Sequence, residues 1–440
     1  MKIMKFGGTS VGKPHRMHEV ATLITADDTR KIVVLSAVSG TTNALVEIGN
    51  RLAKGDRDEA KKKIEALEEQ YQAFARELVA TEPARAKAAQ ILKEHFEFLN
   101  IILKISYSEA LSKDILAQGE LLSTKLFSVY LQEKNVDHHL LPALDFMSID
   151  QNDEPQISEI SAKLLQLLKT HRSTQLFITQ GYICRNARGE VDNLKRGGSD
   201  YSASLIAAAA KADVCEIWTD INGMHNNDPR IVDQTRPIEQ LSFDEAAELA
   251  YFGAKILHPA SIWPAQQFRI PVKLLNTMEP AAHGTLISEH SSEKGAKAIA
   301  AKDGITAVNI KSSRMLLAYG FLRKVFEVFE KYRTSIDMVT TSEVAVSVSI
   351  DNDSFLAEIK KELESFSTVT IDRDQTIVSI VGNEVAEQST TIKNVFESLQ
   401  GVDIRMISYG GSVHNISILV NASHKKTVLQ RLNQGLFGLH

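Results

Sequence analysis

The sequence predicts an α/β domain with a largely parallel central sheet, followed by two small α+β modules. Three observations carry this. Short apolar runs alternate with helical patterns through the first two thirds of the chain. After about Gly295 a pattern of strand, helix, strand, strand, helix runs once and then begins again. Finally, 440 residues exceed what a single core holds, because cores split at a few hundred residues.

Taken in order, Ile3 to Phe6, Lys31 to Leu35, Gln175 to Gln180 and Cys215 to Thr219 read as buried strands. Between Ala53 and Leu111 the composition turns to Lys, Glu, Ala and Leu, with Ile64, Leu67, Tyr71 and Phe74 at helical spacing. The apolar spacing is not a sustained heptad, so these are solvated amphipathic helices packed on the sheet rather than a coiled-coil surface. The first repeat runs through Thr306 to Ile310, the helix Phe321 to Tyr332, Ser335 to Val339, Val344 to Ile350 and the helix Phe355 to Phe366. The second runs through Ile377 to Val381, the helix Thr391 to Leu399, Asp403 to Ser408, Asn415 to Val420 and the helix Lys425 to Leu432. The expected domains are 1–295, 299–372 and 373–440.

Composition narrows the function. Hydrophobic residues at 43% and charged residues at 24% describe an ordinary globular chain. A net charge of -5 leaves no Lys/Arg excess for a long nucleic-acid path, so nucleic acid is not an expected partner. With only Cys184 and Cys215 there is neither a disulfide framework nor a four-cysteine metal site, which fits a reducing, cytoplasmic setting. The start, MKIMKFGGTSVGK, has no long apolar stretch, and no later segment approaches the roughly 20 apolar residues that cross a bilayer. Neither secretion nor membrane insertion is expected.

Phosphate chemistry is written in several segments. The strand ending at Lys5-Phe6 runs into Gly7-Gly8-Thr9-Ser10, where two glycines let the backbone approach a phosphate and Lys5 and the hydroxyls bind its oxygens. Gly7 to Pro14 nearly matches a P-loop, but Pro14 stands where Ser or Thr must reach Mg²⁺, so a Walker A site is rejected. On this segment alone, a plain glycine turn is as good a reading. A second segment, Lys195-Arg196-Gly197-Gly198-Ser199-Asp200, precedes the alanine run Ala207 to Ala210 and makes an anion site at a helix N-terminus. Ser199 or Asp200 also reads as that helix's cap. Third come Trp218-Thr219-Asp220, Asn227-Asp228-Pro229-Arg230 and Phe252-Gly253-Ala254-Lys255-Ile256-Leu257-His258-Pro259. His258 has no second His at metal spacing and is read as structural.

In this order, these segments resemble those of aspartate kinases in the amino acid kinase family. The two C-terminal repeats resemble paired, ferredoxin-like ACT modules, so the likeness spans essentially the whole chain. The resemblance implies an amino acid kinase-like sandwich and transfer of the ATP γ-phosphoryl group to the side chain of L-aspartate, the first step toward lysine, threonine and methionine. It implies Lys5 and Asp200 as catalytic residues, with Gly7, Gly8, Thr9, Ser10, Thr219, Asp220, His225, Arg230 and Lys255 around ATP. Family members often carry Tyr where His225 stands. For aspartate it implies Ser36, Thr42, Glu120, Arg196 and Ser199, with Arg196 on the α-carboxylate and Glu120 on the α-ammonium. Mg²⁺ is expected on the ATP phosphates and water, with no protein ligand named.

The C-terminal segments resemble the effector site of lysine-inhibited members, implying Met315, Ala318, Gly320, Phe321, Leu322, Ser335, Asp337, Thr341, Ser342 and Glu343 as effector contacts. Asp337 and Glu343 are carboxylates suited to the two ammonium groups of a lysine effector. Where this chain has Ala318, lysine-sensitive relatives often have Ser. A homodimer through the ACT modules is implied, and because the second repeat reaches the end of the sequence, no dehydrogenase domain is expected to follow. Two alternatives stay open: a related kinase acting on glutamate, acetylglutamate or a nucleotide, and a catalytically dead amino acid sensor.

Overall fold

The computed structural model describes residues 1–194, 197–253, 258–291, 294–312 and 319–439. In chain order the elements are β1 (Lys2–Phe6), α1 (Pro14–Ile24), β2 (Lys31–Leu35), α2 (Thr41–Ala53), α3 (Arg57–Leu78), α4 (Glu82–Ile102), α5 (Glu109–Glu133), β3 (His139–Leu140), α6 (Ile157–Thr170), β4 (Leu176–Gln180), β5 (Ile183–Arg185), β6 (Val191–Asn193), α7 (Gly198–Ala210) and β7 (Val214–Thr219). Then come β8 (Gln240–Ser242), α8 (Phe243–Tyr251), α9 (Pro259–Gln267), β9 (Val272–Asn276), β10 (Thr285–Ser288), β11 (Gly295–Lys311), α10 (Phe321–Lys331), β12 (Met338–Thr341), β13 (Ala345–Ile350), α11 (Leu356–Leu363), β14 (Thr368–Asn383), α12 (Ser389–Ser398), β15 (Ile404–Ser408), β16 (Asn415–Asn421) and α13 (Lys425–Phe437). The chain divides into two units, Met1–Met224 with Leu257–Glu289, and His225–Ile256 with His290–His440. Among the described residues no helix is long and apolar enough to cross a membrane.

In the first unit the strands lie in the order β3-β4-β2-β1-β7-β9-β10. In this sheet the described pairings from β3 to β9 are all parallel and β10 pairs antiparallel with β9, while β5 and β6 form a separate antiparallel pair. Strands β2 and β4 are buried at every position, as a sheet covered on both faces requires. Register aligns the strand ends, with Phe6 opposite both Leu35 and Trp218, Leu35 opposite Gln180, and Thr219 opposite Asn276. The loops leaving β1, β2, β4, β7 and β9 therefore emerge on one edge, where α/β sheets bind ligands.

The helical excursion is amphipathic as its spacing predicts: Ile64, Leu67, Tyr71, Phe74 and Leu78 of α3 are buried in the same core as β1 and β2. Asp56 caps α3, Ser108 caps α5, and Pro14 opens α1, where its missing N–H costs nothing. Helix α5 is different. It is buried along most of its length from Ile115 to Leu131, and so carries Glu120 into the interior.

The two modules of the second unit share one sheet. One antiparallel sheet runs in the order β12-β13-β11-β14-β16-β15. The later half of β11 (306–311) pairs with β13 and with 368–372, whereas its earlier half (295–302) pairs with 377–383. The second module thus takes an outer strand from the segment ahead of the first. The register shifts between Lys302 and Ala307, where Gly304 adopts φ +74°, and this is where β11 passes from one module to the other. Two cores result, one around Val308, Val325, Phe329, Val348 and Ile359, the other around Val378, Ile418, Val395, Val428 and Leu432. Strand β12 also begins three residues later than the Ser335 expected from apolar spacing.

Candidate active site and regulatory module

The first unit gathers polar groups at the shared strand edge. Lys5 near the end of β1 and Asp200 in the first turn of α7 form an ion pair, Nζ to Oδ1 2.6 Å, with both side chains largely buried. A carboxylate this close keeps the ammonium fixed on a single side. Gly7 follows directly: a Cβ there would come within 3.3 Å of Lys5 Nζ, so glycine leaves the ammonium uncovered. Gly8 approaches the chain after β2, where its Cβ would meet Ala37 O at 3.2 Å. The loop is tied down by Gly7 N donating to Trp218 O (3.3 Å) and by Ser10 N and Val11 N donating to Gly7 O. Ser10 itself is buried, its hydroxyl 2.8 Å from Thr277 Oγ1. Thr9 lies in the turn and is exposed.

Glu120 lies opposite the loop that follows β2. It is 3% exposed, and its Oε1 accepts the Ala37 N–H at 3.3 Å. Its Oε2 has no hydrogen-bond partner among the described residues. Burial pushes this carboxyl up to about 7, the Ala37 N–H opposing the shift. A buried acid on α5 with one oxygen unsatisfied makes Glu120 a candidate binding position. Gly119 makes the approach feasible, since a Cβ there would meet Ala37 Cβ at 2.9 Å. Ser36 donates its N–H to Phe6 O and so belongs to the same edge. Thr42 is half-buried in the first turn of α2.

Helix α7 is capped by Gly197 (φ +67°), with no side-chain cap; neither Ser199 nor Asp200 is the cap, which corrects that reading. A Cβ at Gly197 would fall 2.1 Å from Ser261 Oγ, so the turn demands glycine on both conformation and space. Asp200 is thereby free for Lys5, and Ser199 is buried against Gly181, whose Cβ would sit 2.4 Å from Ser199 Cβ. Thr219 donates to its neighbour Asp220 at 3.1 Å. Lys195, Arg196, Lys255, Met315 and Ala318 lie outside the described residues, as do the rest of 254–257 and 313–318.

Sequence reasoning missed Gly181, Thr277 and Tyr182. Tyr182 has φ +67°, rare for a residue with a side chain, and the Ser202 hydroxyl accepts its N–H. Burial and the nearby Glu120 push its phenol up to about 12. A lone Gly-Tyr pair after a buried strand gives no sequence signal strong enough to find it.

In the second unit, Arg230 forks onto Asp228 with contacts of 2.9 and 2.7 Å, which lowers the Asp228 pKa. Burial lowers the pKa of His225, whose Nδ1 lies 2.9 Å from Thr235 Oγ1. The preceding asparagines are anchored on α13: Asn226 Nδ2 donates to Asn433 Oδ1 (3.0 Å) and Asn227 Nδ2 donates to Leu429 O (3.1 Å). In the first unit, His258 caps α9 by accepting the Ala260 N–H at 3.2 Å.

Among the expected effector residues, Gly320 (φ +83°) caps α10 and Phe321 is buried beneath it. Leu322, Ser335, Thr341, Ser342 and Glu343 are exposed. Asp337 has a buried side chain held by Lys302 Nζ and by the Tyr251 hydroxyl, both at 2.8 Å.

Residues 1–276 match the amino acid kinase family and residues 378–436 match the ACT domain. The chain is 34% identical to lysine-sensitive aspartokinase 3 of Escherichia coli, over 99% of both chains, and 35% identical to the chloroplastic aspartokinase 3 of Arabidopsis thaliana, over 99% of this chain and 81% of that one. The crystal structure of E. coli aspartokinase III with aspartate and ADP, in its R-state, superposes with a TM-score of 0.84 at 34% identity, covering 99% of this chain and 100% of that one. Its lysine- and aspartate-bound T-state gives 0.81, covering 99% of each chain. The chain therefore belongs to the amino acid kinase family. Within that family its likeness, along its whole length, is to the aspartokinases.

Proposed function

We propose that this chain transfers the γ-phosphoryl group of ATP to the side-chain carboxylate of L-aspartate, giving 4-phospho-L-aspartate and ADP. The observation that carries the reading is the Lys5–Asp200 pair beside Gly7 and Gly8 on the shared edge of a parallel sheet. An aspartate side chain has a pKa of about 3.9 and is already an anionic nucleophile at neutral pH, so no general base is needed. The barrier is electrostatic, since an anion must meet a polyanion in line. Lys5 offsets charge on the γ-phosphoryl oxygens as they transfer, and Asp200 holds the ammonium so that it need not reorganise.

Glu120 takes the substrate's ammonium and Arg196 its α-carboxylate, while Ser36, Thr42 and Ser199 supply hydroxyls. Gly7, Gly8, Thr9, Ser10, Thr219 and Asp220 serve the nucleotide, and His225, Arg230 and Lys255 are proposed as nucleotide contacts on their motifs. Mg²⁺ comes with ATP; among the described residues no cluster of His, Cys, Asp and Glu is placed to hold it. When bound it neutralises phosphate oxygens.

L-lysine is the proposed effector, with Asp337 and Glu343 answering its two ammonium groups. A homodimer through the ACT modules is proposed as well, supported by exposed Val339, Val344, Ile407, Tyr409 and Val413. The setting is cytoplasmic. The test is ADP release with L-aspartate, L-glutamate, N-acetyl-L-glutamate and UMP, each with Mg²⁺ or EDTA. Turnover only with aspartate and Mg²⁺ is expected, falling on addition of lysine; turnover with another acceptor, or none, overturns the assignment.

A further inference from the structure

Asp337 is the one buried carboxylate among the described effector residues, and it is not idle. Its Oδ1 accepts from both Lys302 Nζ and Tyr251 Oη at 2.8 Å, whereas Oδ2, also buried, has no hydrogen-bond partner among the described residues. Lys302 lies on β11, close to the point where that strand passes between modules, and holds a second carboxylate, Asp351, at 2.9 Å. The Asp351 side chain is 40% exposed, against 1% for Asp337. Tyr251 is the last residue of α8, shortly before Lys255, and Lys302 Nζ also sits 4.8 Å above its ring.

We propose that Lys302 is a built-in competitor of the effector: its side-chain ammonium occupies Asp337 in the absence of ligand, and an effector ammonium takes its place. This rests on the reading of Asp337 as an effector contact. The chemistry is an exchange of one alkylammonium for another on the same carboxylate. It is feasible because Lys302 keeps Asp351 when it leaves, so no cation is stranded in a partly buried position. The exchange also changes what surrounds the Tyr251 hydroxyl at the end of α8.

Two substitutions pull in opposite directions. With Lys302→Met, Asp337 loses its resident cation and becomes a buried anion that an effector ammonium relieves. The lysine concentration giving half inhibition should fall about tenfold, equivalent to about 1.4 kcal/mol. With Asp351→Asn, Lys302 loses its fallback partner and clings to Asp337, so that concentration should rise. The experiment is a lysine titration of ADP release by the full chain, wild type beside both variants, with lysine binding measured in parallel by calorimetry. A merely structural role for Lys302 moves both variants the same way and overturns the inference, as does an unchanged half-inhibition in Lys302→Met. Should that variant fail to fold, a fall or no change in Asp351→Asn overturns it alone. A wild type that turns over but neither binds nor responds to lysine removes the effector reading itself; a responsive wild type with unresponsive variants removes only the competition.

Discussion

Replacing Glu120 by Gln, or lowering the pH below 7, should weaken aspartate binding by one route, loss of the negative charge that meets the substrate's ammonium. The carboxyl is 3% exposed, and burial raises its pKa from 4.5 to about 7. At pH 6 only about a tenth of the free enzyme carries the charge, so KM for aspartate should be about tenfold above its value at pH 8. Removing the charge outright forfeits a hydrogen bond between charged partners, about 2 kcal/mol, so Glu120→Gln should raise KM about thirtyfold and flatten its pH profile. Stability follows the opposite course. A carboxyl whose pKa rises on folding favours the fold when protonated. That contribution is full below pH 4.5 and is lost as pH rises through about 7, roughly 3 kcal/mol in all. Bound ammonium relieves the resulting buried anion, so aspartate should raise Tm more at pH 8 than at pH 6. Steady-state KM at four pH values and thermal melts with and without aspartate make the assay. A wild-type KM that is flat from pH 6 to 8, or a Gln variant that follows the wild-type profile, would refute the reasoning.

Other substitutions probe separate parts of the account. Lys5→Met should cut kcat by about 10²- to 10³-fold with KM for aspartate little changed, measured by ADP release, since the ammonium acts on the transferring group. Gly181→Ala should destabilise by about 1–3 kcal/mol in thermal melts, because its Cβ would lie 2.4 Å from Ser199 Cβ, and should slow turnover by displacing Asp200 alongside. Asn433→Ala, at a fully buried position on α13, leaves Asn226 without its acceptor; a loss of about 2 kcal/mol and a raised KM for ATP with unchanged KM for aspartate are expected.

Part of the candidate site was legible from local chemistry read together with the family resemblance. Lys5-Phe6-Gly7-Gly8 joins a buried strand to glycines and a cation, and Asp200 falls where a helix begins, so the two could be singled out before the fold brought them to 2.6 Å. What stayed hidden depends on pairs far apart in sequence. Gly181 matters only because Ser199 packs against it, and nothing about either residue alone says so. Lys302 reads as an ordinary strand lysine until β11 and the chain before Met338 place it on Asp337. The same holds for the fold: apolar spacing found the strand at Thr306 to Ile310 but not that β11 begins at Gly295 and serves both modules, because alternation marks burial and not the partner strand. Asn433 was silent too, since a single Asn in an amphipathic helix usually faces water.

The most direct test of the central claim is hydroxylamine trapping of the acyl phosphate from ATP, Mg²⁺ and L-aspartate, with the hydroxamate's position determined by NMR. The account predicts the side-chain hydroxamate, formed about 10²- to 10³-fold more slowly in Lys5→Met. A hydroxamate on the α-carboxylate, or one formed equally by the Lys5 variant, would contradict it.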